Sequence, residues 1–379
     1  MPLLRVARLA LASLMAATAV CAAEHPVARL GTRMPDFELP GVDGRIHRST
    51  EFADKRLLAV VFTCNHCPTA QAYEERIRIL AEDYASKGVA VVAVSPNSPA
   101  AVRLDELGYT DVGDTLEDMK VRARQIRWTF PYLYDGDTEA FSLALGPQAT
   151  PHVFIFDAER RLRYQGRIDD SERKDLVKSR DARNALDALL RGEAPAVAET
   201  KVFGCSSKWA DKSEGNVRWR EKVAAEPVTL ESAGADALKA LRENKSGKVR
   251  MIQVWATWCG PCVSEFDEVV ETNLRFRHRD FEMVTVAAQF PDEKDEVLRF
   301  LKKKKASGRN LLFEGSDKYR LIEALDPEWQ GPLPHTLVVD AEGKVVYRQT
   351  EEIDFVALRR AIVKALNRVK PWPGMSAPQ

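Results

Sequence analysis

The sequence predicts an α/β chain made of two tandem units, each a mixed β-sheet flanked by helices. Three observations predict it. Two cysteine pairs at i,i+3 spacing, Cys64/Cys67 and Cys259/Cys262, each follow a short apolar run suited to a buried strand and stand where a helix begins. A helical stretch to about Lys87 then leads from the first pair into a second apolar run, Val89 to Val94, the strand–helix–strand order of a parallel layer. Thr150-Pro151-His152 and Leu333-Pro334-His335 open late apolar strands at matching places in the two halves, as an internal duplication of architecture requires. Six cysteines scattered over 379 residues would give roughly 0.1 pairs at this spacing, so two pairs are not an accident of composition.

Residues 1–23 carry Arg5 and Arg8, an apolar stretch from Leu9 to Val20, and small residues at Ala22 and Ala23. That is the pattern of a secretory signal, too short to span a bilayer comfortably. Thr18, Ala19 and Val20 match a lipoprotein signal poorly, so cleavage near Ala23 is expected and lipid anchoring at Cys21 is not. A periplasmic or secreted location without stable membrane insertion is the resulting expectation. Basic and acidic residues balance at 56 each, which gives no electrostatic argument for nucleic acid or an anionic membrane. The expected partners are protein thiols or disulfides, small thiols and an upstream thiol reductant. With Cys21 removed, Cys64, Cys67, Cys205, Cys259 and Cys262 remain, and an odd set is no disulfide scaffold.

The first unit is expected over residues 24–212. Leu57 to Thr63 reads as its central strand, followed by the first cysteine pair, its helix, and the strand at Val89. A helical insertion is expected from about Pro99 to Ile126, a strand near Phe130 to Asp135, and another in Ala149 to Asp157. Arg161 to Gly166 reads as its hairpin partner and Ser171 to Leu190 as a closing helix. Residues 213–247 read as a linker with an N-terminal extension of the second unit, comprising a strand start and an amphipathic helix. The second unit, 248–379, repeats the plan with strands at Met251 to Ala256, Phe281 to Ala288 and Val345 to Arg348, and a helix over Asp292 to Lys305. Lys302 to Lys305 is a solvated helix end.

The pairs carry the chemistry. At a helix N-terminus, unsatisfied N–H groups and the positive end of the dipole stabilise an anion, so Cys259 is expected to be the nucleophile. Cys262, one turn further on, is close enough to form a disulfide and release a partner. Pro261 fits the first turn, where its missing N–H breaks no helix bond. Such a pair can also be half of a zinc site, but the second pair is not 15 to 20 residues away as a zinc ribbon wants.

The run W-A-T-W-C-G-P-C, with Glu265 three residues past the second cysteine, closely resembles the TlpA/ResA-like branch of the thioredoxin superfamily. Phe130-Pro131-Tyr132-Leu133-Tyr134-Asp135, Cys67-Pro68-Thr69 and the tail Phe203 to Trp209 resemble the redoxin, or AhpC/TSA (alkyl hydroperoxide reductase and thiol-specific antioxidant), branch, which is peroxiredoxin-like. The resemblance implies two tandem thioredoxin-like folds and a thiol-disulfide oxidoreductase with no cofactor beyond redox-active disulfides and no metal. It implies cis bonds at Pro151 and Pro334, with the backbone of Thr150 and Leu333 pairing with the substrate chain; His152 and His335 read as structural. It sets Glu265 as a candidate acid/base for Cys262, the more so because Gln253 fills a position usually held by aspartate. Leu58 and Ala70 fill the corresponding places of the first unit.

Other readings stay open beside these. His66, between the first two sulfurs, is either an electrostatic stabiliser of a Cys64 thiolate, which would raise the potential of that pair, or an idle turn residue. Cys205 is either a third redox thiol, resolving or relaying, or an inert buried residue. Glu265 is either a proton carrier or an ordinary carboxylate of the first turn. The whole chain is expected to relay electrons from Cys259/Cys262 to Cys64/Cys67. The alternatives are a thiol peroxidase with a fused reductant, although Cys64 stands where peroxidatic sites carry threonine, or a non-catalytic binding module with a structural C-N-H-C pair.

Overall fold

β3 (Leu57–Phe62) is the axis of the first unit in the computed structural model, which describes residues 25–369. The expected signal at 1–23 and Cys21 lie outside the described residues. A hairpin of β1 (Glu38–Pro40) and β2 (Ile46–Arg48) precedes β3. After it come α1 (Pro68–Ala85), β4 (Val89–Ser95), α2 (Leu116–Ile126), β5 (Tyr132–Tyr134), α3 (Ala140–Leu145), β6 (Ala149–Thr150), β7 (His152–Phe156), β8 (Leu162–Gly166), α4 (Asp181–Leu190) and β9 (Cys205–Ser206). The main sheet runs β5-β4-β3-β7-β8, with β3, β4 and β5 parallel and β7 and β8 antiparallel. Every residue of β3 is buried, so both faces of the sheet must be covered. Leu57, Ala59 and Val61 pack towards Tyr73, Ile77 and Leu80 of α1 and Ala182 and Leu186 of α4. Leu58, Val60 and Phe62 turn the other way, towards Phe37, Phe52 and Phe141, as the two-residue period of a strand dictates.

The second unit follows as α5 (Ser213–Ala224), β10 (Glu231–Ala233), α6 (Ala235–Glu243), β11 (Val249–Trp255), α7 (Gly260–Phe276), β12 (Phe281–Ala287), α8 (Lys294–Lys303), β13 (Arg309–Phe313), α9 (Lys318–Leu325), β14 (His335–Val339), β15 (Val345–Thr350) and α10 (Phe355–Val369). Its sheet, β10-β13-β12-β11-β14-β15, repeats the strand order and directions of the first and adds β10 at the edge. Ile252 and Val254 face α6 and α9, while Val249 and Met251 face α7 and α10. Both units are thioredoxin-like folds, with each cysteine pair at the C-terminal end of the central strand.

Three expectations need correction. The closing helix begins at Asp181, not Ser171, because Arg76 of α1 captures the carbonyls of Ser171 and Glu172 and both oxygens of Asp169, and so holds that backbone out of a helix. The insertion is helical only in part: short 3-10 turns at Pro99–Ala101 and Leu104–Leu107 precede α2. Residues 213–247 are no linker at their start. α5 docks on the insertion through Asn216, whose Nδ2 donates to the carbonyls of Ala100 and Val102 at 2.9 and 3.1 Å.

The insertion joins the units. Val102, Leu104 and Leu107 belong to one buried cluster with Val223 of α5 and Trp255, Cys259, Cys262, Phe266 and Leu274 of the second unit. Arg279 donates to the Gly108 carbonyl at 3.0 Å, and Arg360 pairs with Asp111 at 2.9 Å. The first unit therefore shares one buried cluster with the helix that carries the second cysteine pair.

Candidate active sites

In the second unit Cys259 is the N-cap of α7, with Gly260 and Pro261 opening the first turn. Its Sγ accepts the Cys262 N–H at 3.3 Å, and the two cysteines form a disulfide. Both sulfurs are buried, but Trp258 beside them is 67% exposed, and among the described residues no strand lies against Leu333. The Leu333–Pro334 peptide is cis. Glu265 turns Oε1 to the Ile353 N–H at 3.0 Å and leaves Oε2 buried without a partner. Burial holds its carboxyl above the usual range. Among the described residues no hydrogen bond joins it to Cys262. Gln253 is occupied by the Thr336 hydroxyl at 2.6 Å. His335 sits between Asp326 and Thr350, stacked on Trp329, as a core residue would.

The first unit shifts the helix start. α1 begins at Pro68, so its N-cap is Cys67, the second cysteine of the pair, whereas α7 is capped by the first. Proline explains the difference. It belongs in the first turn, and it follows Cys67 here but precedes Cys262 there. Cys67 Sγ accepts the N–H of Ala70 at 3.4 Å and of Cys205 at 3.3 Å, and lies 3.4 Å from the Thr150 carbonyl, which takes its proton when it is a thiol. Burial alone would raise this thiol, but the Cys205 and Cys64 thiols, the Ala70 N–H and the charge on His66 bring it well below its ordinary value. Cys64 behaves in the opposite way. Burial, the neighbouring Cys67 sulfur and the Asp114 charge push its thiol well up, and its Sγ contacts Thr150 Oγ1 at 3.1 Å. The helix cap and these opposite directions favour the anion on Cys67 over Cys64, where the sequence had placed it, with the His66 charge acting on Cys67.

Asp114, in the insertion just before α2, organises the loop between the cysteines. It accepts the N–H groups of Asn65 and His66 at 2.9 and 3.0 Å, His66 Nδ1 at 2.5 Å, and Asn97 Nδ2 at 2.8 Å. Burial would discharge His66, but the Asp114 carboxylate outweighs it and lifts the imidazole above its usual pKa. Cys64, His66 and Asp114 bring three potential metal-ligand atoms within 4.8 Å of one another. Asp114 is already saturated by N–H donors, so the set fits a buried hydrogen-bonded His66–Asp114 pair better than a cation site.

β6, carrying Thr150 and followed by the cis Pro151, pairs antiparallel with β9, Thr150 opposite Cys205 and Ala149 opposite Ser206. The chain reaches that edge by running beside β8, where Thr200 N–H donates to the Gln165 carbonyl at 3.1 Å. Cys205 is half-buried, and its contact with the Cys67 sulfur, together with burial, raises its thiol. His152 is buried against Gln165 and pushed down to about 4 by burial, so it stands neutral in the core. Sequence reasoning missed Asp114, Asn97 and Gly204. Nothing near Asp114 or Asn97 in sequence signals a link to Cys67, but the position of Pro68 did signal which cysteine caps the helix.

A family model described as Redoxin matches residues 29–186 and 221–361. The thiol:disulfide interchange protein CycY of Rhizobium leguminosarum bv. viciae is 24% identical over 170 residues, 40% of this chain and 82% of CycY. The thiol-disulfide oxidoreductase ResA of Bacillus subtilis is 31% identical over 100 residues, 26% of this chain and 51% of ResA, so the chain spans about half of that relative. Among solved structures, a hypothetical protein, SMc02350 from Sinorhizobium meliloti, is 35% identical, covering 49% of this chain and 97% of its own, with a TM-score of 0.43.

Proposed function

This chain belongs to the Redoxin family, and we propose that its thiol-disulfide oxidoreductase activity runs through two centres, with electrons passing from Cys259/Cys262 to Cys64/Cys67. The single observation that carries the reading is that each pair sets one sulfur at a helix N-terminus, Cys259 in one unit and Cys67 in the other. In the reduced second centre, the Cys259 thiolate attacks Sγ of Cys67 in a Cys64–Cys67 disulfide. That bond breaks, Cys64 leaves and takes a proton, and Cys259–Cys67 forms. Cys262, losing its proton, then attacks Cys259 and expels Cys67 as the thiolate that its surroundings favour. A stabilised thiolate leaves faster and stabilises the dithiol form, which raises the potential of the first pair and sets the direction. The buried cluster shared by the insertion and α7 holds the two units against each other.

Residues 1–23 are read as a signal for export to the periplasm or outside, and no helix among the described residues is long and apolar enough to cross a membrane. Protein thiols or small thiols supply and receive the electrons. A Cys262→Ala variant tests the relay, because it stalls the mixed disulfide at Cys259. The expected product links Cys259 to a cysteine of the first unit; capture of external thiols alone would contradict it.

One observation favours a second reading, a thiol peroxidase. Cys67, in Cys67-Pro68-Thr69, is the sulfur at the helix start, where a peroxidatic thiolate would sit. Sulfenic acid at Cys67 on mixing with hydrogen peroxide, at rates well above those of a free thiol, would support it.

A further inference from the structure

The two units differ at the edge where a thioredoxin-like fold receives its substrate chain. Beside Leu333 the edge is open among the described residues, whereas beside Thr150 it is occupied by β9 of the same chain, in antiparallel register. The occupant brings a cysteine: Cys205 lies opposite Thr150 and its N–H donates to Cys67 Sγ at 3.3 Å. Its fit is built in. Gly204 has φ +135, and a Cβ there would run into the Thr150 carbonyl. The segment is fastened downstream as well. Ser207 Oγ donates to the Pro147 carbonyl at 2.8 Å, Lys208 N–H to Asn97 Oδ1 at 2.9 Å, and Ala210 N–H to Glu139 at 2.8 Å, while Trp209 is buried. Asn97 thus holds both the strand and, through Asp114, the loop that carries His66. Cys64 and Cys67 are fully covered, and Cys205 is the most exposed sulfur of the three.

We infer that β9 is a built-in substrate strand of the first unit and that Cys205 is its internal substrate thiol, exchanging disulfide with Cys67. The inference rests on the reading of Cys64/Cys67 as an exchange pair. Starting from the oxidised pair, Cys205 gives up its proton and attacks Sγ of Cys67. The Cys67–Cys205 bond forms as the Cys64–Cys67 bond breaks, and Cys64 leaves with a proton. No electrons are gained or lost. An external disulfide supplies the one two-electron oxidation of the trio and leaves as two thiols. An external polypeptide must displace β9 before its backbone can pair with Thr150, which restricts the first unit to partners that compete with its own strand.

The test uses the full chain, reduced and then oxidised with a limiting amount of oxidised glutathione, acid-quenched, alkylated and mapped by peptide mass spectrometry. Wild type is expected to yield a Cys67–Cys205 link, and Cys64→Ser to make it the main product. Gly204→Ala, which cannot seat the strand without backbone strain, is expected to lose that link by about tenfold while still forming Cys64–Cys67. Cys205→Ser keeps the shape of the edge and is expected to leave Cys64–Cys67 as the only link at the site. If wild type gives Cys64–Cys67 alone with Cys205 alkylated, and Cys64→Ser ends as a glutathione adduct on Cys67, the built-in strand is overturned and the exchange pair stands. If Cys67 forms no disulfide in any variant while Cys259–Cys262 does, the exchange pair fails and the inference fails with it.

Discussion

Cys67 and Cys64 are three residues apart, equally buried and oppositely polarised, because one caps a helix and the other faces Thr150 and the field of Asp114. The charge on His66, held by Asp114, contributes to that split. Thiolate absorbance, taken as the difference between the reduced protein and its Cys67→Ser variant, is therefore expected to persist as pH falls below the ordinary thiol pKa and to vanish only through the depressed value. Replacing His66 by Gln removes the nearby cation and moves that profile to higher pH. An unmoved profile would leave His66 with a structural role only. The chemistry of the pairs was legible from spacing, since two i,i+3 cysteine pairs at strand ends admit few uses. Which sulfur is the anion was legible only to a reader who weighed Pro68 against Pro261. The Asp114 contribution was not legible at all, because it comes from 48 residues beyond His66 through tertiary packing.

At the level of elements, the alternating faces of β3 and β11 follow directly from apolar runs covered on both sides, which is why the strands stood out in the sequence. The expected helix over 171–180 failed for a reason no local propensity contains. Arg76, from the helix after the cysteine pair, binds Asp169 and two carbonyls of that stretch. The same contact gives a prediction. Arg76→Ala leaves Asp169 buried with Tyr73 as its remaining close side-chain donor, and breaking such a buried pair costs about 3–5 kcal/mol. Urea denaturation of the full chain measures it. A loss under about 1 kcal/mol, the range of exposed ion pairs, would mean that the pair is effectively solvated. β9 was invisible as a strand because two residues carry no period, although Cys205 and the Gly204 before it stand in the sequence.

For the whole molecule, the repeated sheet order makes the duplication plain, while the joining of the halves was hidden in a stretch read as insertion and linker. Val102, Leu104, Leu107 and α5 turn those residues into the contact between the units, in one buried cluster with residues of α7. The relay proposed above takes its direction from the environment of Cys67. The most direct measurement equilibrates the full chain with mixtures of reduced and oxidised glutathione, quenches in acid, and reads both centres from the same sample by peptide mass spectrometry. About 30 mV corresponds to about 1.4 kcal/mol, or tenfold in equilibrium constant, so even a modest gap separates the two curves. Cys64 and Cys67 are expected to be reduced in mixtures where Cys259–Cys262 is still a disulfide; coincident curves, or the reverse order, would contradict the relay.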